Sequence, residues 1–135
     1  IKFDSSEIPA GAIITSATLR LYLESSFGSG SYNIGMYKII KPWSETTATW
    51  NNFSSGGNFD STRQAVTTVA LGTKGFKEWT VPLALVNGWI ASPSLNYGLA
   101  MVYESSTKGP DYEFASKENT TLANHPQLVI NYTLP

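Results

Sequence analysis

The amino-acid sequence predicts an all-β fold: a jelly-roll-like antiparallel β-sandwich of about eight to ten strands, with one short helix near residues 83–90. Three observations predict it. Apolar and polar residues alternate with period two along much of the chain, as strands with one buried face require. Clusters of Gly, Pro, Asn and Ser interrupt those stretches at short intervals, which is how tight turns are built. The chain has 135 residues, 41% of them hydrophobic, enough for one domain with its own core.

Ile1-Lys2-Phe3 reads as the tail of a strand that begins upstream, with neither an initiator Met nor a signal peptide before it. The single domain 1–135 is therefore expected to lack its first strand or strands. The clearest alternation follows at 15–24. There Ala17, Leu19, Leu21 and Leu23 point one way while Thr18, Arg20, Tyr22 and Glu24 point the other. Further strands are predicted at 32–40, 66–71, 76–81, 97–104, 112–116 and 128–133. Turn clusters at 8–11, 27–31, 54–58, 72–75 and 108–111 divide them. One stretch departs from the pattern. Pro82 suits a first helical turn, and Leu83, Val86, Trp89 and Ile90 recur at helical spacing, so 83–90 is predicted as a helix closing one end of the sandwich.

Composition narrows the function. Charged residues make up only 14% of the chain, against about 25% in an average soluble domain. Nine basic and ten acidic residues leave a net charge of -1. That balance argues against a nucleic-acid partner, which calls for a basic stripe, and against electrostatic recruitment to a membrane. No apolar run approaches the roughly 18 residues of a membrane-spanning helix, so no membrane insertion is expected. Cysteine is absent, which excludes disulfides, thiolate metal sites and a cysteine nucleophile. Many hydroxyls, 4 Trp and 7 Tyr with few charges suit a secreted or cell-surface β-domain. The lack of disulfides suits a prokaryotic one.

Catalytic signatures are missing from the sequence. It contains no glycine-rich phosphate loop, no Gly-x-Ser-x-Gly elbow and no His-Glu-x-x-His. The single His125, in Asn124-His125-Pro126, reads as an exposed turn residue. A carboxylate pair would be the remaining route to hydrolysis, drawn from Glu45, Glu78, Glu104, Asp111, Glu113 and Glu118. Asp111 and Glu113, two apart, read instead as a solvated strand edge. The sequence predicts no enzyme.

Calcium is the one cofactor left open, because hard cations take oxygen ligands from loop carboxylates, amides and carbonyls. Asn58 and Asp60, in a loop that also holds Asn51 and Asn52, are candidate ligands, as are Asp111 and Glu113 near another. No EF-hand spacing is present, and Asn and Asp also serve turns. Asn-x-Ser/Thr sequons begin at Asn52, Asn119 and Asn131. Asn131 falls inside a predicted strand, which leaves Asn52 and Asn119 as the expected glycosylation sites.

Two surfaces could hold a ligand. Trp43 and Trp50 bracket an irregular segment; an exposed Trp can stack on a sugar ring, but here both are expected to pin the segment to the core. The outward strand faces are the better surface. Arg20 and Tyr22 lie there, and on what reads as the neighbouring strand Tyr37 is out of phase with apolar Ile34 and Met36. Together with Lys38 they could bind an acidic polymer by charge-assisted hydrogen bonds and ring stacking. The alternative is a solvated face with ordinary cross-strand pairs.

Ile1-Lys2-Phe3-Asp4 followed by Ile8-Pro9-Ala10-Gly11-Ala12-Ile13-Ile14-Thr15-Ser16-Ala17-Thr18-Leu19-Arg20-Leu21-Tyr22 resembles the DNRLRE family, also called disaggregatase-related repeats. Met36-Tyr37-Lys38, Trp43-Ser44-Glu45, Thr49-Trp50-Asn51-Asn52, Leu85-Val86-Asn87-Gly88-Trp89-Ile90, Asn96-Tyr97-Gly98-Leu99-Ala100-Met101, Phe114-Ala115-Ser116-Lys117-Glu118 and Pro126-Gln127-Leu128-Val129-Ile130-Asn131-Tyr132 follow collinearly. Two departures stand out: the family's upstream strands do not precede Phe3, and Thr80 stands where the family has an Asp, with one extra residue before Leu85. The resemblance implies an extracellular, non-catalytic sandwich module, of a family that includes alginate-binding members, found beside polysaccharide-degrading domains or in prokaryotic surface proteins. It makes calcium plausible without supplying a ligand set.

Two functions are therefore expected. The first is a carbohydrate-binding module for an acidic cell-wall or matrix polysaccharide, using Arg20, Tyr22, Tyr37 and Lys38. The alternative is a structural stalk or filament subunit, in contact with neighbouring domains or copies of itself, whose open sheet edge is completed by a strand from another chain.

Overall fold

The alternation at 15–24 becomes the axis of the molecule. In the structure, a computed structural model that describes residues 1–53, 57–105 and 109–135, it forms the middle of β1 (Ile13–Phe27). Two more strands follow it, β2 (Ser31–Ile39) and β3 (Phe59–Ala70), with a short helix α1 (Trp50–Phe53) between them. Next come β4 (Gly75–Thr80), helix α2 (Leu83–Ala91), β5 (Leu99–Tyr103), β6 (Asp111–Phe114) and β7 (Gln127–Thr133). One edge of β1 pairs with β4. The other edge pairs with β7 along its first half and with β6 along its second. In the second sheet β2 lies between β3 and β5. Every pairing is antiparallel, and the two sheets face each other across one core.

The core follows from the alternation. Ala17, Leu19, Leu21 and Leu23 on β1 are at most 6% exposed, and they meet Ile34, Met36, Val69 and Leu99 from the opposite sheet. Full burial of a Leu-sized side chain contributes about 1.5–3 kcal/mol. Trp79 on β4 is fully buried, so its indole N–H needs an acceptor. It finds the Ile34 carbonyl of the other sheet at 2.8 Å. The Tyr112 hydroxyl on β6 likewise donates across the core to the Val69 carbonyl at 2.8 Å.

The all-β sandwich and the helix at 83–90 are as the sequence predicts, with differences in detail. Among the described residues there are seven strands, fewer than the about eight to ten expected. Ile1 makes one paired contact with Leu99 and does not extend into a strand. The strand predicted from residue 97 starts at Leu99, because Gly98 has a left-handed φ of 89° and breaks the extended run. β3 begins seven residues before residue 66, through Ser61, Thr62, Arg63 and Gln64. This is an edge strand, so its polar run hid it from a search for alternation. In α2 the buried residues are Leu85, Val86 and Trp89, while Leu83 is 39% exposed; the buried stripe is shifted from the one expected.

Candidate functional site

β1 and β2 are neighbours in sequence but centre different sheets. The expected single face carrying Arg20, Tyr22, Tyr37 and Lys38 therefore does not exist as a unit. Arg20 and Tyr22 point outward from the β1 sheet. Tyr37 points outward from the β2 sheet, on the far side of the sandwich. Lys38, next along β2 and opposite Leu99, is directed to the other side of its strand from Tyr37. Sequence reasoning could see which residues leave the core but not which sheet each strand joins.

On the β1 face the register places Arg20 opposite Glu78 and Tyr22 opposite Phe76 across β4, and Arg20 opposite Gln127 across β7. Arg20 Nε donates to Glu78 Oε1 at 2.9 Å and one Nη donates to Gln127 Oε1 at 2.8 Å. Its guanidinium lies 4.2 Å from the Phe76 ring centroid, within cation–π range. Phe76 in turn meets Tyr22 edge-on at 5.3 Å. Arginine carries more N–H donors than these two bonds use, and among the described residues the Tyr22 hydroxyl has no hydrogen-bond partner. The result is a guanidinium held over the Phe76 ring with Tyr22 edge-on beside that ring, and with unspent donors at a half-exposed surface. Phe76 escaped the sequence reading. Its signal, an aromatic at the start of a strand, acquires meaning only once the register sets it beside Arg20 and Tyr22.

The β2 face holds a similar set arranged differently. Glu104, just past β5, accepts from the Tyr37 hydroxyl at 2.5 Å and from Arg63 Nη1 at 2.7 Å. Its carboxylate folds over Gly35, where an added Cβ would collide with it and come within 2.8 Å of the Tyr37 ring. The Tyr37 hydrogen bond holds the Glu104 carboxyl below the usual carboxylate range, with Arg63 adding to the effect. The same bond raises the Tyr37 phenol, and partial burial raises it further. Tyr37 continues into a row of rings through Phe59, Phe53 and Trp43, with centroids 5.6, 6.2 and 6.1 Å apart. Ile39 is sealed beneath them at 1% exposure.

A family model described as carbohydrate-binding module family 96 matches residues 1–132, nearly the whole chain. The chain belongs to that family. Comparison with curated proteins and with solved structures gives no match. Membership of a carbohydrate-binding family agrees with the binding role that the resemblance implied. The match names family 96 and not the DNRLRE grouping.

The remaining candidates of this family 96 module have local roles. Asp60, at the start of β3, accepts from the Thr62 N–H at 2.8 Å, and that bond depresses its carboxyl. Asn58 donates to the Asn52 carbonyl at 3.0 Å. Glu113 is bonded by the Ser25 hydroxyl, and Asp111 sits opposite Phe27, away from Asp60. Among the described residues no three His, Cys, Asp or Glu side chains converge. Of the sequon residues, Asn52 donates to the Thr47 carbonyl at 2.8 Å and Asn119 to Glu24 at 2.6 Å. A glycan on either would replace one of the two N–H groups of its amide nitrogen and leave one. Ser54, the hydroxyl of the Asn52 sequon, lies outside the described residues, as does the Trp50 side chain. Trp43 is pinned as expected, donating to the Tyr97 carbonyl at 2.7 Å. His125 is half-buried rather than exposed. Its Nε2 lies 2.7 Å from the Asn119 carbonyl, which can only accept, so Nε2 carries the proton.

A cleft of about 840 Å³ is lined by Leu21, Trp43, Met101 and Phe114 among others, so it adjoins the Trp43 end of the ring row on the β2 face. Lys117, after β6, reaches Glu45 at 2.7 Å on the far rim.

Proposed function

We propose that the chain is an extracellular, DNRLRE-type carbohydrate-binding module that holds an acidic polysaccharide on the outward face of its β4–β1–β7 sheet. One observation carries the reading: Arg20 is fixed over Phe76 beside Tyr22 with N–H donors to spare. A uronate carboxylate would take those donors in charge-assisted bonds. The C–H face of its ring would lie against Tyr22 and Phe76. Glu78 is 57% exposed, so its bond to Arg20 contributes only about 0–1 kcal/mol and can be exchanged for the ligand's carboxylate. Thr18 and Thr80, opposite one another on the same face, extend it with small polar side chains over which a polymer can run. The low-charge, hydroxyl-rich and cysteine-free composition supports a place outside a prokaryotic cell, where such polymers are found.

Affinity electrophoresis and calorimetry of the purified chain with polyuronates, and with neutral glucans as comparison, test this. Retention by a polyuronate should fall as salt rises and be lost in Arg20→Ala and Tyr22→Ala. Equal retention of wild type and Arg20→Ala would remove this face from consideration.

A further inference from the structure

The outward side of the β1 sheet carries more acid than base. Tyr112 and Phe114 of β6 pack against the core, so Asp111 and Glu113, which alternate with them, leave the sheet on the side of Arg20 and Tyr22. Both are exposed. Glu113 stands opposite Ser25, whose hydroxyl donates to it, about 10 Å along β1 from Tyr22 at the ordinary rise of a strand. Glu24, at the register shift between Leu23 and Ser25, adds another carboxylate and accepts from the Asn119 amide at 2.6 Å. Glu78 flanks Arg20 across β4. Among the described residues, Arg20 is the only cation that the strands of this sheet turn outward. Lys77 stands opposite buried Leu21, on the other side of the sheet, and its ammonium donates to the Thr73 hydroxyl at 2.9 Å.

From Arg20 toward the start of β1 the face carries no charge among the described residues. Thr18 stands between Thr80 and Val129, and Val129 is 39% exposed. Ser16 follows opposite Asn131, whose amide donates to its hydroxyl at 2.7 Å. Hydroxyls, an amide and a small apolar side chain suit the hydroxyl groups and C–H faces of neutral sugar rings. None of them brings a positive charge to a second carboxylate.

We infer that this face selects an isolated carboxylate: a linear acidic polysaccharide whose uronates are separated by neutral rings, rather than a polymer charged at every ring. The inference rests on the proposed binding face and narrows its ligand. One uronate gives its carboxylate to Arg20 and its ring to Tyr22 and Phe76. The neighbouring ring toward Ser16 then meets uncharged groups, and the ring toward Glu113 meets carboxylates. A neutral ring there donates its hydroxyls to Glu113 and Glu24 in charge-assisted bonds. A uronate there sets like charges side by side, and that repulsion is how a surface rejects a wrong partner.

The test uses polygalacturonate and polymannuronate, each as the free acid, with about half of its carboxyls methyl-esterified, and with nearly all of them esterified, in affinity electrophoresis at low salt. Affinity per free carboxylate should be about threefold or more higher for the half-esterified chains than for the free acids. The fully esterified chains should not be retained. The double variant Glu78→Gln, Glu113→Gln keeps the shape of both side chains and should erase the preference by raising affinity for the free acids. Half-esterified chains bound no more tightly per carboxylate than free acids would overturn the selection and leave the binding face standing. A preference unchanged in the double variant would do the same. Failure of every form to be retained, or equal retention of the fully esterified chains, would overturn the face itself and the selection with it.

Discussion

The two outward faces of this module are built from nearly the same parts. Each has a tyrosine, an arginine and a glutamate on neighbouring strands, yet the parts are used in opposite ways. On the β2 face Tyr37 and Arg63 both donate to Glu104, whose side chain is only 18% exposed and rests in the space left by Gly35. The donors are consumed internally, and the set works as a clasp. On the β1 face Glu78 is 57% exposed, the Tyr22 hydroxyl has no partner among the described residues, and Arg20 is oriented by a ring rather than enclosed by a carboxylate. Composition alone does not separate a binding platform from a structural fastening. What separates them is whether the polar groups are satisfied by the protein itself, since only unspent donors can discriminate a ligand.

The largest expected effect tests the clasp. Gly35→Ala places a methyl group against the Glu104 carboxylate and the Tyr37 ring. Glu104 must then swing away and both of its hydrogen bonds fail. The change should destabilise the chain by about 1–3 kcal/mol in urea denaturation while leaving polyuronate binding intact. A loss of binding at unchanged stability would reverse the roles assigned to the two faces.

Next in size is the reciprocal experiment on the β1 face. Phe76→Ala removes the ring on which Arg20 lies, so polyuronate affinity should weaken by about tenfold, roughly the worth of one oriented charge-assisted bond. Calorimetric titration measures it directly. Arg63→Ala, an arginine of the β2 face, is the matched control and should leave affinity unchanged.

Much of this arrangement was legible in the sequence. Alternation at 15–24 located the core residues of β1 because burial forces period two, and it also identified Arg20 and Tyr22 as outward. The helix at 83–90 announced itself through Pro82 and the spacing of Val86 and Trp89. What alternation could not carry is long-range pairing. Nothing local to Tyr37 says that its strand joins Arg63 and Glu104 rather than Arg20, because sheet partnership is decided by contacts distant in sequence. Phe76 and Gln127 joined the candidate site for the same reason, through register. Gly35 and Gly98 were silent as well. A glycine marks a close approach only when the approaching group is known, here Glu104 and the Ile1 carbonyl.

The smallest effect distinguishes the faces by acidity. Glu104 is held below the ordinary carboxylate range by the Tyr37 hydroxyl and then by Arg63. A depressed folded-state value means that the stability this carboxylate contributes is fully present above its unfolded pKa of roughly 4.3. That contribution is lost as pH falls through the lower folded value. Tyr37 is shifted the other way, upward, by the same bond. Its contribution is present below an unfolded pKa of about 10 and is lost as pH rises through the folded value. Tyr37→Phe should therefore cost about 0.5–1.5 kcal/mol at neutral pH. The stability gap to wild type should narrow in acid below about pH 4 and again in base above about pH 10. Tyr22→Phe, which removes no hydrogen bond among the described residues, is the control from the other face and should leave stability at neutral pH close to wild type. Urea midpoints across the pH range measure both. A Tyr37→Phe gap that stays constant into acid would mean that Glu104 is not the acceptor that gives the clasp its strength.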